Sequence, residues 1–491
     1  MNKSIDRLVN SIKLKPNAYD KYIKLSEELA KEDKKIECLN VLTDLGIQYA
    51  KDKKYAECEC VFREVLKNNP SVYRYNVNLG TCLAWVNKAE ESQILLLRAI
   101  YAYSIIAPEI HDFLREELEP ILPKELILKA RDIKFEQPVP EIVDIENCLT
   151  SFGKVLSDTG LIDAAFKCHN KAIEIKPDLA LAHWNRALIN LSWRNYISGW
   201  NDYEWRWLWK EFPEVRRRLP ARPWKGERLS GKTLYVYTEQ GFGDSIQFFR
   251  WVIFLKQYYI CDIIFEAPSL TYDLFANNPY GIDVVHRPEL AHMAATDKHI
   301  DYSCSIMSLP YYSKHTDIIK CNPYIFPDKE KSNLWKMKLS FDDNVKIGLC
   351  WSSSKKPDNG RKIPIKEFVP LSDIHNISLY SLQVGEDKKE LINSGLTSIT
   401  DFSNEFKTFS DTAAFIDNLD IVASVDTAVA HLAGAMGKKT YLLLRDYPDW
   451  RWADDCKTTP WYKSVHVIKQ KPGENWSSVV SKLCECLRET K

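Results

Sequence analysis

A recurrence of 34 residues constrains this chain more than any other feature. Leu45-Gly46 and Leu79-Gly80 are one such period apart, and so are Gly153 and Ala187, Ala165 and Gly199, and His169 and Tyr203. The fullest unit reads Leu45, Gly46, Tyr49, Tyr55, Cys58, Phe62, Val65, Pro70, and a second reads Phe152, Gly153, Leu156, Gly160, Ala165, Ala172, Pro177. A small residue at Gly46 or Gly153 lets the first helix of a pair approach the second, which is small in turn at Cys58 and Ala165. Pro70 and Pro177 stop the second helix. One such pair cannot bury its apolar face alone, but stacked pairs can.

A helix pair repeating at this length is the pattern of the tetratricopeptide (TPR) repeat. An α-solenoid of TPR-like pairs is therefore expected over 1–215. A generic helical bundle that meets the spacing by chance is the alternative. Gly46 and Gly153 lie 107 residues apart, five more than three periods, and the stretch 108–140, with five prolines, is the expected irregular insert. An array of this kind is usually a binding surface for protein.

The pattern changes after Arg216-Arg217-Arg218, and Pro220-Ala221-Arg222-Pro223-Trp224-Lys225-Gly226 reads as a linker. A β-branched and aromatic strand, Lys232–Tyr237, then runs through Gln240-Gly241-Phe242-Gly243-Asp244 into a helical pattern with Ile246, Phe249 and Ile253 on one face. A second start appears at Val345–Trp351, with further strands at Ser378–Gln383, Ile421–Val425 and Thr440–Leu444. Alternating strands and helices imply parallel sheets. Two Rossmann-like lobes are expected, over 226–338 and 339–491, with a cleft between them.

Lys+Arg and Asp+Glu both number 67, which argues against nucleic-acid binding through bulk positive charge. The 13 cysteines are scattered, and none shares zinc-ligand spacing with another Cys or His. The apolar stretch Phe248–Phe265 is broken by Arg250, Lys256, Gln257 and Asp262, so no transmembrane span is expected. The first residues lack the apolar core of a signal peptide, and the expected location is the cytoplasm.

The strongest local candidate for chemistry is Asp426-Thr427-Ala428-Val429-Ala430-His431, a strand end running into a helix that Gly437 stops. The first-turn N–H groups of such a helix suit a phosphate. Thr427 adds a hydroxyl, and His431 lies one turn inward. Asp426 as a plain N-cap and His431 as a packed histidine are the alternative. Asp244 opens the first-lobe helix after the glycine loop Gly241/Gly243. It could take a proton from an attacking hydroxyl or simply cap the helix. Arg361-Lys362 could neutralise a leaving diphosphate or could be solvated loop charges. The tryptophans of Asp449-Trp450-Arg451-Trp452 read as packing residues. No D-x-D occurs, so no metal site is expected, and there is neither a G-x-S-x-G elbow nor a Walker lysine.

Taken together, Glu239–Phe248, Ile347–Trp351, Ser381-Leu382-Gln383 and Ser424–Gly434 resemble the bacterial TPR-fused glycosyltransferases. The catalytic part of that group is similar to heptosyltransferases and, more distantly, to O-GlcNAc transferases. The resemblance covers about residues 222–491, and the repeats extend it to most of the chain. It implies a GT-B fold, with the acceptor on the first lobe and a nucleotide-sugar donor on the second. By the same resemblance Asp244 matches the proposed base, while Thr427, Ala428 and His431 match the diphosphate-binding turn. Relatives carry R-S-I-P-L where this chain reads Arg361-Lys362-Ile363-Pro364-Ile365.

The resemblance to heptosyltransferases implies inverting transfer from a nucleotide-sugar, which is a substrate, so that no cofactor is needed; the missing D-x-D makes metal-independent transfer the expectation. By analogy with flagellin glycosyltransferases the acceptor is a protein hydroxyl presented by the repeats. A non-catalytic TPR scaffold, or an enzyme acting on a glycan or lipid-linked acceptor, is the rival reading.

Overall fold

The computed structural model describes residues 3–68, 72–132, 144–214, 216–217, 219–286, 299–315, 317–320, 323–353, 360–452 and 457–489. The chain divides into two compact units, Met1–Ile189 and Asn190–Lys491.

The described residues of the first unit are helical. Lys35–Lys51 packs on Tyr55–Asn68, Tyr73–Trp85 on Ala89–Ser104, and Ile145–Asp158 on Ile162–Ile175. The small residues set the spacing of each pair. A Cβ at Gly46 would lie 2.5 Å from the Phe62 ring, one at Gly80 2.8 Å from Leu96 Cγ, and one at Gly153 2.7 Å from the His169 ring. The turn inside each pair needs a left-handed residue, met by Lys53 (φ 58°), Asn87 (φ 62°) and Gly160 (φ 83°). The helix Ile162–Ile175 ends just before Pro177, as the sequence expects. Pro70 lies outside the described residues.

The described part of the stretch read as an irregular insert is irregular, and it also packs into the core. Pro108–Asp112, a π-turn at Phe113–Leu118, a 3₁₀ turn at Glu119–Ile121 and Lys124–Arg131 follow one another. Ile110, Phe113, Leu114, Leu118 and Ala130 are buried in the same cluster as Phe152 and Leu156. Pro108 and Pro120 sit in the first turn of their helical segments and Pro123 caps the next, where the missing N–H costs little. Residues 133–140 of that stretch lie outside the described residues.

The second unit holds two parallel sheets. The first consists of β1 (Arg222–Pro223), β2 (Thr233–Tyr237), β3 (Asp262–Ala267), β4 (Asp283–His286) and β5 (Tyr302–Ser305), in the order β1-β5-β2-β3-β4. The second consists of β6 (Val345–Cys350), β7 (Ile377–Ser381), β8 (Ile399–Asp401), β9 (Ile421–Val425), β10 (Thr440–Leu444) and β11 (Val465–Lys469), in the order β11-β10-β9-β6-β7-β8. Every strand pair within these sheets is parallel. The expected pair of Rossmann-like lobes is therefore present, and the central strands are apolar on both faces because helices cover both.

Three boundaries differ from the sequence reading. The linker at 220–226 supplies edge strand β1, and Trp224 is buried, donating its backbone N–H to the Ser303 carbonyl at 2.8 Å. The array expected to run to 215 ends earlier, because Tyr196–Tyr203 and the turn Glu204–Trp207 belong to the second unit. Trp200 there is buried edge-on to Phe248, Trp251 and Trp450. The helix Lys329–Lys338, placed in the first lobe by sequence, packs on Phe409–Asp417 of the second. Lys331 pairs with Asp411 at 2.7 Å, and the Trp335 ring centre lies 4.7 Å from that of Phe415.

Candidate active site

Strand β2 of the first lobe and strand β9 of the second each end in a turn that opens a helix. After β2, Gly241 caps the helix Phe242–Tyr259, and its N–H donates to Asp244 Oδ2 at 2.8 Å. After β9, the cap of Ala428–Ala435 is Thr427, whose Oγ1 accepts from the N–H of Val429 at 3.2 Å. The cap is thus one residue later than Asp426, where the sequence pattern puts it. The Asp426 carboxylate turns away instead, taking the Trp452 indole N–H at 2.8 Å on Oδ1 and the Arg361 guanidinium at 3.0 Å on Oδ2. The Arg361 contact is an ion pair without hydrogen-bond alignment, and Oδ2 is otherwise unbonded.

Both turns face a cavity of about 450 Å³. Gly241, Gly243 and Asp244 line it from the first lobe, and Arg361, Asp426, Thr427, Ala428 and His431 from the second. Lys362 does not line it. Its ammonium is held at 3.1 Å by Asp387 and 2.8 Å by Glu390, so the expected basic pair supplies one cation to the cavity rather than two.

The lobes meet at close quarters here. Phe242 and Phe409 face each other with ring centres 5.2 Å apart. A Cβ at Gly243 would lie 2.9 Å from Cδ2 of His431, so glycine is needed for the approach. His431 is buried, with Nδ1 2.9 Å from the Tyr462 hydroxyl and its ring 4.9 Å from that of Trp452. Burial, with the nearby Arg451 charge, pushes its pKa down to about 3. The imidazole is thus neutral near pH 7.

The residue that sequence reasoning missed is Arg451. Its guanidinium reaches across the lobes, donating to Asp244 Oδ1 at 2.5 Å and to Gln247 Oε1 at 2.8 Å. It also donates to Asp449 Oδ1 at 2.8 Å. Burial alone would lower the Arg451 pKa, but the Asp244 and Asp449 carboxylates outweigh it and raise the value. Burial would likewise raise Asp449, yet Arg451 and Arg361 hold it well below the usual carboxylate range. An alternating chain of charges, Asp244, Arg451, Asp449, Arg361, Asp426, so runs along the cavity wall. The available signal was an arginine set between two tryptophans, in Asp449-Trp450-Arg451-Trp452 after a buried strand. The tryptophans are packing residues, as the sequence suggests: Trp450 lies against Trp200 and Trp461, and Trp452 against His431.

Behind the first-lobe turn sits a second ion pair. Arg206 has no exposed surface and donates to Glu239 at 2.9 and 3.1 Å, to Glu204 at 2.6 Å, to Ser308 at 2.7 Å and to the Tyr203 carbonyl at 3.1 Å. This network fixes Glu239, the residue that precedes the cavity-lining Gln240.

No protein-family model matches the sequence. The chain is 24% identical over 356 residues to Protein FlbA of Caulobacter vibrioides, covering 68% of this chain and 59% of that protein. Among solved structures it is similar to the glycosyl transferase family 9 protein of Veillonella parvula, with TM-score 0.41, 11% identity, and coverage of 54% of this chain and 91% of that one. It is also similar to the Thermobaculum terrenum O-GlcNAc transferase, with TM-score 0.32, 12% identity, and coverage of 92% and 91%. Helix pairing and strand order within this chain itself show helical repeats followed by two parallel-sheet lobes.

Proposed function

We propose that the chain transfers a sugar from a nucleotide-sugar donor to an acceptor, with the reaction centred in the interlobe cavity. One observation carries this reading: a carboxylate, Asp244, and a helix N-terminus, at Thr427–Ala428, line the same cavity from opposite lobes. The first suits an attacking hydroxyl and the second a departing diphosphate.

In this mechanism the acceptor oxygen attacks C1 of the sugar, and its proton passes to Asp244. The bond from C1 to the diphosphate oxygen breaks, and the nucleoside diphosphate leaves. Attack from the side opposite the leaving group inverts C1. Arg361, ion-paired with Asp426 and Asp449, and the first-turn N–H groups of Ala428–Ala435 offset the charge that builds on the diphosphate. With these donors in place the transfer is read as metal-independent. Among the described residues no helix is long and apolar enough to cross a membrane. The acceptor is read as a protein hydroxyl and the helical repeats as its docking surface.

Calorimetry of the full chain with nucleoside diphosphates, followed by turnover of Asp244→Asn, tests the proposal. Asparagine keeps an oxygen for the Gly241 N–H but cannot take the proton. Turnover should fall about 10²–10⁴-fold with diphosphate affinity nearly intact. Failure of every nucleoside diphosphate to bind would favour the scaffold reading.

A further inference from the structure

Gln240 carries a backbone conformation that its side chain makes costly. Its φ is 61°, in the left-handed region, and among the described non-glycine residues that share this property it alone lines the cavity. A glycine would adopt the turn without strain, and the chain places one at the very next position. Strain that persists beside a candidate active site points to a use for the side chain that requires it.

That side chain is fixed from behind. Nε2 donates to the Tyr203 hydroxyl at 2.9 Å and to Glu239 Oε1 at 3.0 Å, which engages both amide hydrogens. The anchors are rigid. Tyr203 is buried edge-on to Trp200, and the Arg206 guanidinium sits 4.8 Å from its ring while also bonding Glu239. With both hydrogens engaged on the protein side, the amide can only offer its carbonyl oxygen to the cavity. Among the described residues that oxygen has no partner.

We propose that Gln240 is an acceptor-orienting residue. Its Oε1 accepts a hydrogen bond from a polar hydrogen of the acceptor next to the reacting hydroxyl, on the first-lobe wall that also carries Asp244. The inference rests on the glycosyl-transfer reading. Tyr203 and Arg206 act through Gln240 as positioning residues and touch no substrate.

The test uses Gln240→Gly and Tyr203→Phe in the full chain. Gln240→Gly relieves the backbone while deleting the amide. Its thermal midpoint should stay within about 3 °C of the unaltered chain, since relief of strain offsets the lost anchors. Its nucleoside-diphosphate affinity should stay within about twofold, and kcat/KM for the acceptor should fall about tenfold, the size of one lost neutral hydrogen bond. Tyr203→Phe frees the amide to rotate and should lower the same kcat/KM by roughly threefold, again without loss of diphosphate affinity. Unchanged acceptor kcat/KM in Gln240→Gly would overturn the proposal. So would a matching collapse of its stability and diphosphate binding, which would make Gln240 a purely structural residue. Failure of the unaltered chain to bind any nucleoside diphosphate is a separate result: it would overturn the glycosyl-transfer reading itself, and the acceptor role with it.

Discussion

Gly243 of the first lobe and His431 of the second are packed so closely that a Cβ on the glycine would lie 2.9 Å from Cδ2 of the imidazole. The ring cannot withdraw, because Tyr462 holds Nδ1 and Trp452 covers a face. Gly243→Ala should therefore wedge the two turns apart. A loss of about 1–3 kcal/mol in stability, typical of overpacking, is expected together with weaker nucleoside-diphosphate binding. Chemical denaturation and calorimetry on the same variant check both. An alanine variant as stable as the parent would show that the contact yields easily.

Arg361 and Lys362 are neighbours in sequence, but only Arg361 lines the cavity. Arg361→Gln should weaken nucleoside-diphosphate affinity about ten- to a hundredfold, the scale of one charge-assisted hydrogen bond. Lys362→Gln should change it by less than about threefold, because its ammonium is spent on Asp387 and Glu390. Parallel calorimetry of the two variants decides this, and equal losses would contradict the assignment of one cation to the cavity.

Arg206 and Glu239 bear on where the chain can be cut. A shortened chain starting at Arg216 discards Arg206 and leaves Glu239 buried without its counter-ion. Breaking a buried pair in this way costs about 3–5 kcal/mol. A chain starting at Asn190 keeps the pair, together with Trp200 and its ring contacts. The longer piece should unfold at a clearly higher temperature and bind nucleoside diphosphate, while the shorter one should be marginal or insoluble. Comparable melting of the two would show that the pair contributes little.

Acid should weaken the second unit through His431. Its folded pKa of about 3 lies below the ordinary 6.5, so the ring is neutral when folded and protonated when unfolded between those values. Stability is therefore fully present above about pH 6.5 and is lost as the pH falls toward 3. The slope from this one group is at most about 1.4 kcal/mol per pH unit. Denaturant titrations at pH 7 and pH 5 should show the loss, and His431→Gln should show a smaller one. His169 in the first unit is depressed to about 3 by the same cause, burial, and predicts a parallel slope there.

Features that depend on neighbours within a turn or two were legible in the amino-acid order. The recurrence of Gly46, Gly80 and Gly153 located the helix pairs, because the approach of two helices needs a small residue at a fixed place in each. The apolar strands before Gly241 and Asp426 located the ends of β2 and β9. Asp244 was legible as a helix-opening carboxylate for the same reason. Which charges meet was settled by the folded chain alone. Asp244 and Arg451 are 207 positions apart, and no local pattern chooses that partner over Asp449 alone. Arg361 and Lys362 look alike in sequence, and a single residue of rotation along the loop sends one to Asp426 and the other to Glu390. The unit boundary at Asn190 was hidden too, because a helix with repeat-like spacing can bury Trp200, and the turn after it Arg206, on a sheet lobe as readily as on another repeat. Periodicity fixes which face of an element is buried. It carries no information on what the face is buried against, and an ion pair takes its partner from that second choice.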